Sequence, residues 1–297
     1  MGLASKRRGL NPRARPRART HLIWFSRRLI INYAPSVWQD VELVRQRAPL
    51  VHNITNFVVM NTTANALLAL GASPVMAHAL EEVEEMAGIA GAVVLNIGTL
   101  SPAWVDAMVL AGKQANRKGI PVIIDPVGAG ATSFRNQTMK RLLSEVRPAV
   151  IRGNASEIRA LHSAGLGTKG VDSTHTSEQA LDAARALADE LNCVVCTSGA
   201  TDVIVSAEGV ARVANGHPMM PRVTGLGCTA TALIGAFAAV NSSPFRAAAH
   251  AMAVMGIAGE MAAVKSPGPG SLQLHYLDAL YQLQAADVQA RLKLTME

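Results

Sequence analysis

Several features that define common protein classes are scarce or missing in this sequence of 297 residues. Aromatic residues make up only 4% of a chain that is 49% hydrophobic, so aliphatic side chains and methionine must fill the interior. Three cysteines do not suggest a disulfide scaffold, which favours a reducing, cytoplasmic setting. No apolar run reaches the roughly 18 residues of a membrane span, so no membrane partner is expected. The P-loop signature is also absent.

Acidic residues are missing from the first 28 residues, which hold nine basic side chains. The rest of the chain has 19 basic and 21 acidic residues, so the net charge of +7 does not indicate a nucleic-acid-binding surface. We interpret residues 1–35 as a basic, disordered N-terminal extension and 36–297 as a single folded domain. The extension could bind RNA or membrane weakly or resemble an organelle presequence, but we favour an unselected tail or a start codon placed too far upstream.

Strand-like and helix-like segments alternate along the body of the chain. Apolar runs at 92–98, 120–125, 148–152 and 193–197 predict strands, 73–76 is a short extended piece, and 202–207 with 210–214 predict a hairpin. Helices are predicted at 38–46, 64–70, 80–89, 102–118, 136–146, 155–164, 177–191, 244–264 and 276–292, and flexible loops at 169–176 and 266–271. This order indicates an α/β fold with three αβα layers and a mostly parallel central sheet.

A glycine-punctuated turn before an apolar helix stands out at residues 223–237. Glycines at a helix entrance let backbone N–H groups reach a bound anion, and Cys228 would lie at the mouth of that pocket. The simplest alternative is a turn before a core helix. The pattern Gly225, Gly227, Ala230 also fits a dinucleotide fingerprint, but no second strand–helix half and no acid near residue 250 follow it.

Polar residues follow the predicted strands, where ligands of such sheets collect. Asp125 ends one strand, Arg152 the next, and Ser198 a third. Together with Glu157 and the glycine turn, these groups suit Mg²⁺ and a polyphosphate. Each also has an ordinary interpretation, since Asn154 and Glu157 are spaced as a helix capping box, Asp125 could order its glycine turn, and Arg152 could form a structural ion pair.

Two further groups of residues allow different interpretations. Cys193 and Cys196 have the spacing of a redox or zinc pair, but on a strand they face opposite sides, and we interpret them as buried core. The asparagines near residue 56 fit helix caps and turns or, for Asn56, the uncharged wall of a polar ligand pocket. Met76 is either core or a contact for a flat heteroaromatic ligand.

Six short sequence motifs, found in this order along the chain, together resemble those of one known family. They are VHNITN at 51–56, GASPVM at 71–76, LNIGT at 95–99, DPVGAGAT at 125–132, IRGN at 151–154 with Glu157, and VTGLGC at 223–228. Over about residues 38–290 the chain resembles the hydroxyethylthiazole kinase family of thiamine salvage, whose fold is ribokinase-like. The basic extension is not part of that pattern.

The resemblance implies transfer of the ATP γ-phosphate to the hydroxyl of 4-methyl-5-(2-hydroxyethyl)thiazole. Arg152 and Ser198 would bind ATP, with Ser198 where a threonine is common, and Asp125 and Glu157 would hold Mg²⁺. The thiazole pocket and the catalytic position would be formed by Met76, Asn56, Gly225 and Cys228. The family's homotrimer, with sites between subunits, implies that Asn56 and Met76 act on a neighbour's ATP.

Cys228 stands where related sugar kinases place an aspartate base, and a thiol is a poor base for an alcohol. Phosphoryl transfer relies mainly on positioning and charge neutralisation, so a weak base is tolerable there. Two other functions remain open. One is a ribokinase-like kinase for another small alcohol, such as a hydroxymethylpyrimidine, and the other is a non-catalytic protein that binds the same ligands.

Overall fold

The structure, a computed structural model, describes residues 1–2, 32–163 and 176–297, with side chains in the last segment described from residue 180. Most of the predicted N-terminal extension and all but the last residue of the predicted 169–176 loop therefore lie outside the described residues. The strands are β1 (Leu50–Ile54), β2 (Ser73–Val75), β3 (Ala92–Asn96), β4 (Val122–Asp125), β5 (Val150–Asn154), β6 (Val194–Ser198), β7 (Asp202–Ser206), β8 (Gly209–Val213) and β9 (Leu294–Met296).

The helices surround this set of strands. They are α1 (Ala34–Arg47), α2 (Met60–Leu70), α3 (Val83–Ile89), α4 (Pro102–Lys118), α5 (Ser133–Glu145), α6 (Ala155–Leu161), α7 (Thr176–Leu191), α8 (Leu226–Ala238), α9 (Pro244–Val264), α10 (Pro269–Gln282) and α11 (Ala285–Arg291). Local signals set several boundaries. In α4, for example, the Ser101 hydroxyl accepts a hydrogen bond from Trp104 N, and Gly119 ends the helix in the left-handed region with φ +70°.

One nine-stranded sheet forms the centre, in the order β2-β1-β3-β4-β5-β6-β7-β8-β9. The strands from β2 to β6 are parallel, and β7, β8 and β9 continue the sheet in antiparallel pairs. Neighbouring strand residues point to opposite faces, so Val94 packs with α1, α2 and α8–α11, while Val93 packs with α3–α7. The prediction of a three-layer α/β fold with a mostly parallel sheet is thus confirmed.

Some elements differ from the sequence-based prediction. No strand is predicted in the segment that begins VHN, yet β1 lies there between the edge strand β2 and β3, and Asn53 Nδ2 donates a hydrogen bond to Val51 O. The predicted helix at 276–292 is two helices, because Gln284 and Asp287 form a capping box that starts α11. The predicted flexible loop at 266–271 is shorter, since α10 begins at Pro269.

Helix α9 is long and apolar enough to span a membrane by length and composition alone, with a mean hydropathy of 1.4 over its best window. In the structure 78% of that window is buried, with α8 and α10 packed against the helix, as expected for the core helix of a globular domain. The two cysteines behave as predicted. Cys196 belongs to the cluster on the α8 face and Cys193 to the cluster on the opposite face.

Candidate active site

Six parallel strands end at one edge of the sheet, and each brings a polar or sulfur-containing residue to that edge. In sheet order these residues are Met76, Asn56, Asn96, Asp125, Arg152 and Ser198. Asn96 pairs in register with Asp125, and Asn154 with Ser198. At a strand spacing of about 4.8 Å the row extends over about 24 Å, enough for a nucleotide and a small second substrate side by side.

Asp125 is the most buried charged group of this row, with 1% of its surface exposed. Its Oδ2 accepts hydrogen bonds from Asn96 Nδ2 and Thr231 Oγ1, each at 2.8 Å. Burial raises the pKa of Asp125 to about 6; the Arg152 guanidinium and the two hydrogen bonds oppose the rise, and the Glu157 carboxylate adds to it. A cation bound here would relieve the cost of keeping this carboxylate ionised.

Arg152 lies directly against the glycine turn. A Cβ atom added to Gly227 would stand only 2.9 Å from Arg152 Nη1, so the glycine allows the guanidinium to approach the backbone. The buried Nε of Arg152 has no hydrogen-bond partner within the described part of the chain. A guanidinium and a helix N-terminus both attract anions, so their placement side by side favours a phosphate ligand.

The glycine turn itself has the geometry of an anion cradle. Gly225 caps α8 with φ +84°, and a Cβ atom there would lie 2.6 Å from Val59 Cγ1, so both backbone and packing require glycine. The bond from Thr229 N to Gly225 O, 2.8 Å long, is the first of the helix. The N–H groups of residues 226–228 therefore have no acceptor inside the helix and are available to a ligand.

Glu157 forms the capping box that its spacing suggested. Its Oε2 accepts a hydrogen bond from Asn154 N at 2.8 Å, and Asn154 Oδ1 accepts one from Glu157 N at 3.0 Å. The other oxygen, Oε1, accepts a bond from Gly128 N at 2.9 Å, which ties α6 to the loop after β4. Both oxygens thus have backbone partners, and the second lone pair of each remains for water or a cation.

Ser198 closes β6 and donates a hydrogen bond to Gly153 O at 3.3 Å. This contact places its hydroxyl one strand away from Arg152, on the side remote from Asp125. The two residues that the resemblance predicts to bind ATP therefore lie on neighbouring strands.

The Cys228 thiol contacts the residues of the same edge. Asn56 Nδ2 donates a hydrogen bond to its sulfur at 3.4 Å. Burial and the nearby Asp125 carboxylate raise the pKa of Cys228 to about 11, although Asn96, Asn56 and Arg152 lower it in part. The thiol is therefore protonated at neutral pH and is not a ready base. Because Asn56 contacts Cys228 of its own chain, it belongs to the same edge as Asp125.

Met76 lies farther out, just after the edge strand β2. The segment that contains it is held by contacts of its neighbours, because His52 Nε2 is 2.7 Å from Ala77 O and the His78 ring stacks on Trp104 with centroids 4.1 Å apart. The edge of the sheet thus brings together Asp125, Arg152 and the turn before Cys228, with Met76 at the far end of the row.

Three residues that the sequence did not single out hold this edge in place. Asn96 bridges Asp125 and Asn56, and Thr231 is the second donor to Asp125. Arg135 donates to Ile97 O, Gly98 O and Val127 O, which fastens the loops after β3 and β4 to each other. A polar residue at the end of an apolar strand was the available signal for Asn96, whereas nothing in the sequence pointed to Arg135.

Comparison with known proteins identifies the family of the chain. The model of the "Hydroxyethylthiazole kinase family" matches residues 41–286. A relative from Syntrophus aciditrophicus named hydroxyethylthiazole kinase is 63% identical over 260 residues, which cover 87% of this chain and 96% of the relative. A solved structure of the hydroxyethylthiazole kinase protein from Pyrococcus horikoshii superposes with a TM-score of 0.82 at 44% identity, covering 89% of this chain and 99% of that chain.

A more distant structure extends the comparison to the fold. A ribokinase-like superfamily protein from Enterococcus faecalis superposes with a TM-score of 0.56, covering 79% of this chain and 88% of that chain. At 15% identity this likeness concerns the fold alone. The fold of the chain is therefore ribokinase-like.

Proposed function

The chain belongs to the hydroxyethylthiazole kinase family and is an ATP-dependent kinase, and we propose that the edge formed by Asp125, Arg152 and the turn before Cys228 is its transfer site. The reaction joins the hydroxyl oxygen of 4-methyl-5-(2-hydroxyethyl)thiazole to the γ-phosphorus of ATP. The bond from that phosphorus to the bridging oxygen breaks, the hydroxyl proton is lost, and ADP and the thiazole phosphate leave.

The observation that carries this proposal is the convergence of three separate segments. Asp125 from β4 is bonded to Thr231 of α8, and Arg152 from β5 packs on Gly227 of the same helix. A buried carboxylate, a guanidinium and open helix amides thus surround one point. Phosphoryl transfer needs this kind of positioning and charge neutralisation more than it needs a strong base.

We propose that Asp125 and Glu157 hold Mg²⁺. Among the described residues no cluster of three or more acidic, histidine or cysteine side chains is placed to bind a metal ion. Mg²⁺ does not require one, since it commonly takes one or two carboxylates, several waters and substrate phosphates. The hard, oxygen-only donor set fits that ion, and Mg²⁺ would neutralise phosphate charge when bound.

The order of the strands supports a division of the edge between the two substrates. Arg152 and Ser198, the proposed ATP contacts, lie on one side of Asp125, while Asn56 lies on the other side with Met76 beyond it. Gly225 and Cys228 stand at the start of α8, and the hydrogen bond from Asn56 to Cys228 supports their assignment to the acceptor side. We therefore assign Met76, Asn56 and Gly225 to the thiazole alcohol.

Cys228 is proposed to sit beside the reacting hydroxyl without acting as a strong base. A thiol whose pKa is raised to about 11 is protonated at neutral pH and does not accept the hydroxyl proton, which leaves to solvent or to a phosphate oxygen. In a loose transition state that proton is lost late, so the helix amides and Arg152 contribute more of the rate.

We propose that the protein is a homotrimer with its sites between subunits. Large apolar side chains are exposed next to the acceptor residues, with Phe57 64%, Val58 63% and Leu68 58% exposed. The edge strand β2 also leaves one side without a described neighbour strand. A second copy packed there would cover this surface close to Asn56 and Met76. We place the enzyme in the cytoplasm, with residues 36–297 as its single domain and 1–35 as an extension.

Acceptor-dependent release of ADP tests the proposed function. The full chain is incubated with ATP and Mg²⁺, with and without the thiazole alcohol, and with a hydroxymethylpyrimidine as the competing acceptor. We expect ADP only with the thiazole alcohol, and loss of the activity when EDTA removes the metal. Release with the pyrimidine alone would favour the other alcohol kinase, and binding of ATP without turnover of any alcohol would favour a non-catalytic protein. A variant that lacks residues 1–35 should keep the activity.

A further inference from the structure

We infer that Asn96 is a positioning residue that couples the ATP half of the site to the acceptor half. The inference rests on the proposed function and adds a residue to it. Asn96 ends β3, between the strands that carry Asn56 and Asp125, and only 1% of its surface is exposed. Its side chain cannot touch bulk solvent, so its polar atoms serve the residues around it.

The contacts of Asn96 use both ends of its amide. The Nδ2 group donates to Asp125 Oδ2 at 2.8 Å. The Oδ1 atom accepts from Asn56 Nδ2 and from Gly98 N, each at 2.9 Å. The amide therefore has one possible orientation, because a flip would set its oxygen against the Asp125 carboxylate and its NH₂ group against two donors.

On one side Asn96 orients Asp125. Together with Thr231 it occupies Oδ2 of that carboxylate. Within the described residues no hydrogen bond reaches Oδ1, which is thus directed to a ligand by the two donors on the other oxygen. Loss of the Asn96 donor would leave Asp125 free to rotate and to offer Mg-ATP a less suitable geometry.

On the other side Asn96 holds Asn56. The Asn56 amide donates to Asn96 Oδ1 and to the Cys228 sulfur. Gly98 permits this packing, because a Cβ atom there would lie 2.6 Å from that of Asn56. Three side-chain hydrogen bonds of 2.8, 2.9 and 3.4 Å thus connect Asp125 to Cys228 through Asn96 and Asn56. A displacement of Asp125 or of Asn56 is therefore transmitted to the other residue through the buried amide of Asn96.

A purely structural role is the competing explanation, since the bond from Gly98 N makes an ordinary turn of a strand end. Two substitutions separate the roles. Asn96→Asp keeps the shape and the acceptor oxygen for Asn56 but replaces the donor to Asp125 by an oxygen. Asn96→Ala removes both contacts. Asn116→Ala is the matched control, because the side chain of this half-buried asparagine in α4 hydrogen-bonds only the backbone of Arg147.

The test measures kcat and KM for Mg-ATP and for the thiazole alcohol separately, with thermal unfolding of every variant. We expect Asn96→Asp to lower kcat/KM for Mg-ATP roughly 10- to 100-fold, the effect of one lost charge-assisted hydrogen bond, and to leave KM for the alcohol unchanged. Asn96→Ala should impair both substrates, and Asn116→Ala neither. A second variant, Asn56→Ala, should raise KM for the alcohol alone, and should add nothing to Asn96→Ala.

The inference is overturned if both Asn96 variants unfold at lower temperature yet keep wild-type kinetic constants, or if Asn96→Asp harms both substrates equally. Should Asn96→Ala fail to fold, the shape-preserving Asn96→Asp and Asn56→Ala still show whether each change affects the kinetic constants for one substrate or for both. Failure of the proposed function would appear in the wild type, as no ADP release with the thiazole alcohol. The kinetic constants of the variants would then be measured with the alcohol that the wild type does accept.

Discussion

The buried Asp125 carboxylate makes the free enzyme less stable than it would be with a neutral residue there. Its pKa rises from an ordinary 3.8 to about 6 because burial disfavours the charged form. The folded protein therefore binds this proton more tightly than the unfolded chain does, and the free energy of unfolding falls as the pH rises through this interval. The shift corresponds to about 3 kcal/mol lost by neutral pH.

Substitution of Asp125 by asparagine removes the charge and keeps the shape. The new amide oxygen can accept the bonds from Asn96 and Thr231, whereas the NH₂ group takes the place of Oδ1, which has no partner among the described residues. The unpaired NH₂ group offsets about 1–2 kcal/mol of the stability that is gained when the buried charge is removed. We expect Asp125→Asn to be about 1–2 kcal/mol more stable than wild type at neutral pH, with the difference falling to zero near about pH 5 and reversing in stronger acid.

Denaturant unfolding at one fixed protein concentration measures this difference across the pH range. Asp182→Asn, whose side chain is 80% exposed, is the matched control and should change little at any pH. Saturating Mg-ATP should stabilise the wild type by about 2.7 kcal/mol at a hundred times its Kd, and the variant far less. A variant less stable than wild type at neutral pH, or a difference that does not shrink in acid, would refute the reasoning.

Three further substitutions test other parts of the structure. Cys228→Ala should slow turnover by less than the roughly 10⁴-fold expected for loss of a general base, and complete inactivity of folded protein in the ADP assay would contradict this. Gly227→Ala sets a Cβ atom 2.9 Å from Arg152 Nη1; KM for Mg-ATP should rise while KM for the alcohol holds, and equal effects on both would count against an ATP role for Arg152. His250→Leu breaks a buried 2.6 Å contact with Asp40 Oδ2 and should cost about 1–3 kcal/mol of stability; denaturant unfolding measures this, and activity per folded molecule should stay constant.

The local sequence pattern was sufficient to predict the strands and helices whose apolar residues follow a regular pattern. The apolar strands that became β3 to β6 and the amphipathic α4 could be predicted because burial on both faces, or on one stripe, leaves a direct trace in the order of residues. The strand β1 left no such trace. Its His52 and Asn53 are polar, and their burial depends on partners at Ala77 and Val51, which a linear pattern does not reveal.

The individual residues of the site could be named from the strand ends and from the family resemblance, but their partnerships could not. Glu157 illustrates the limit, because its spacing indicated a capping box, whereas the polar groups at the strand ends and the family resemblance indicated a metal ligand. The capping box is formed, with a further bond to Gly128 N, and the metal role stays a proposal. For Cys228 the sequence already predicts a poor base, since a thiol stands at the position of a base, and burial raises its pKa further, to about 11.

By itself the order of residues determined the layered parallel fold, the family and the glycine turn, because periodicity and short motifs are properties of neighbouring positions. Only the tertiary structure decided that Asn96 joins Asp125 to Asn56, that Arg152 rests on Gly227, and that Arg135 fastens two loops. These contacts join residues from different strands and helices, and their strength comes from burial. Neither the distance nor the burial exists until the sheet has formed.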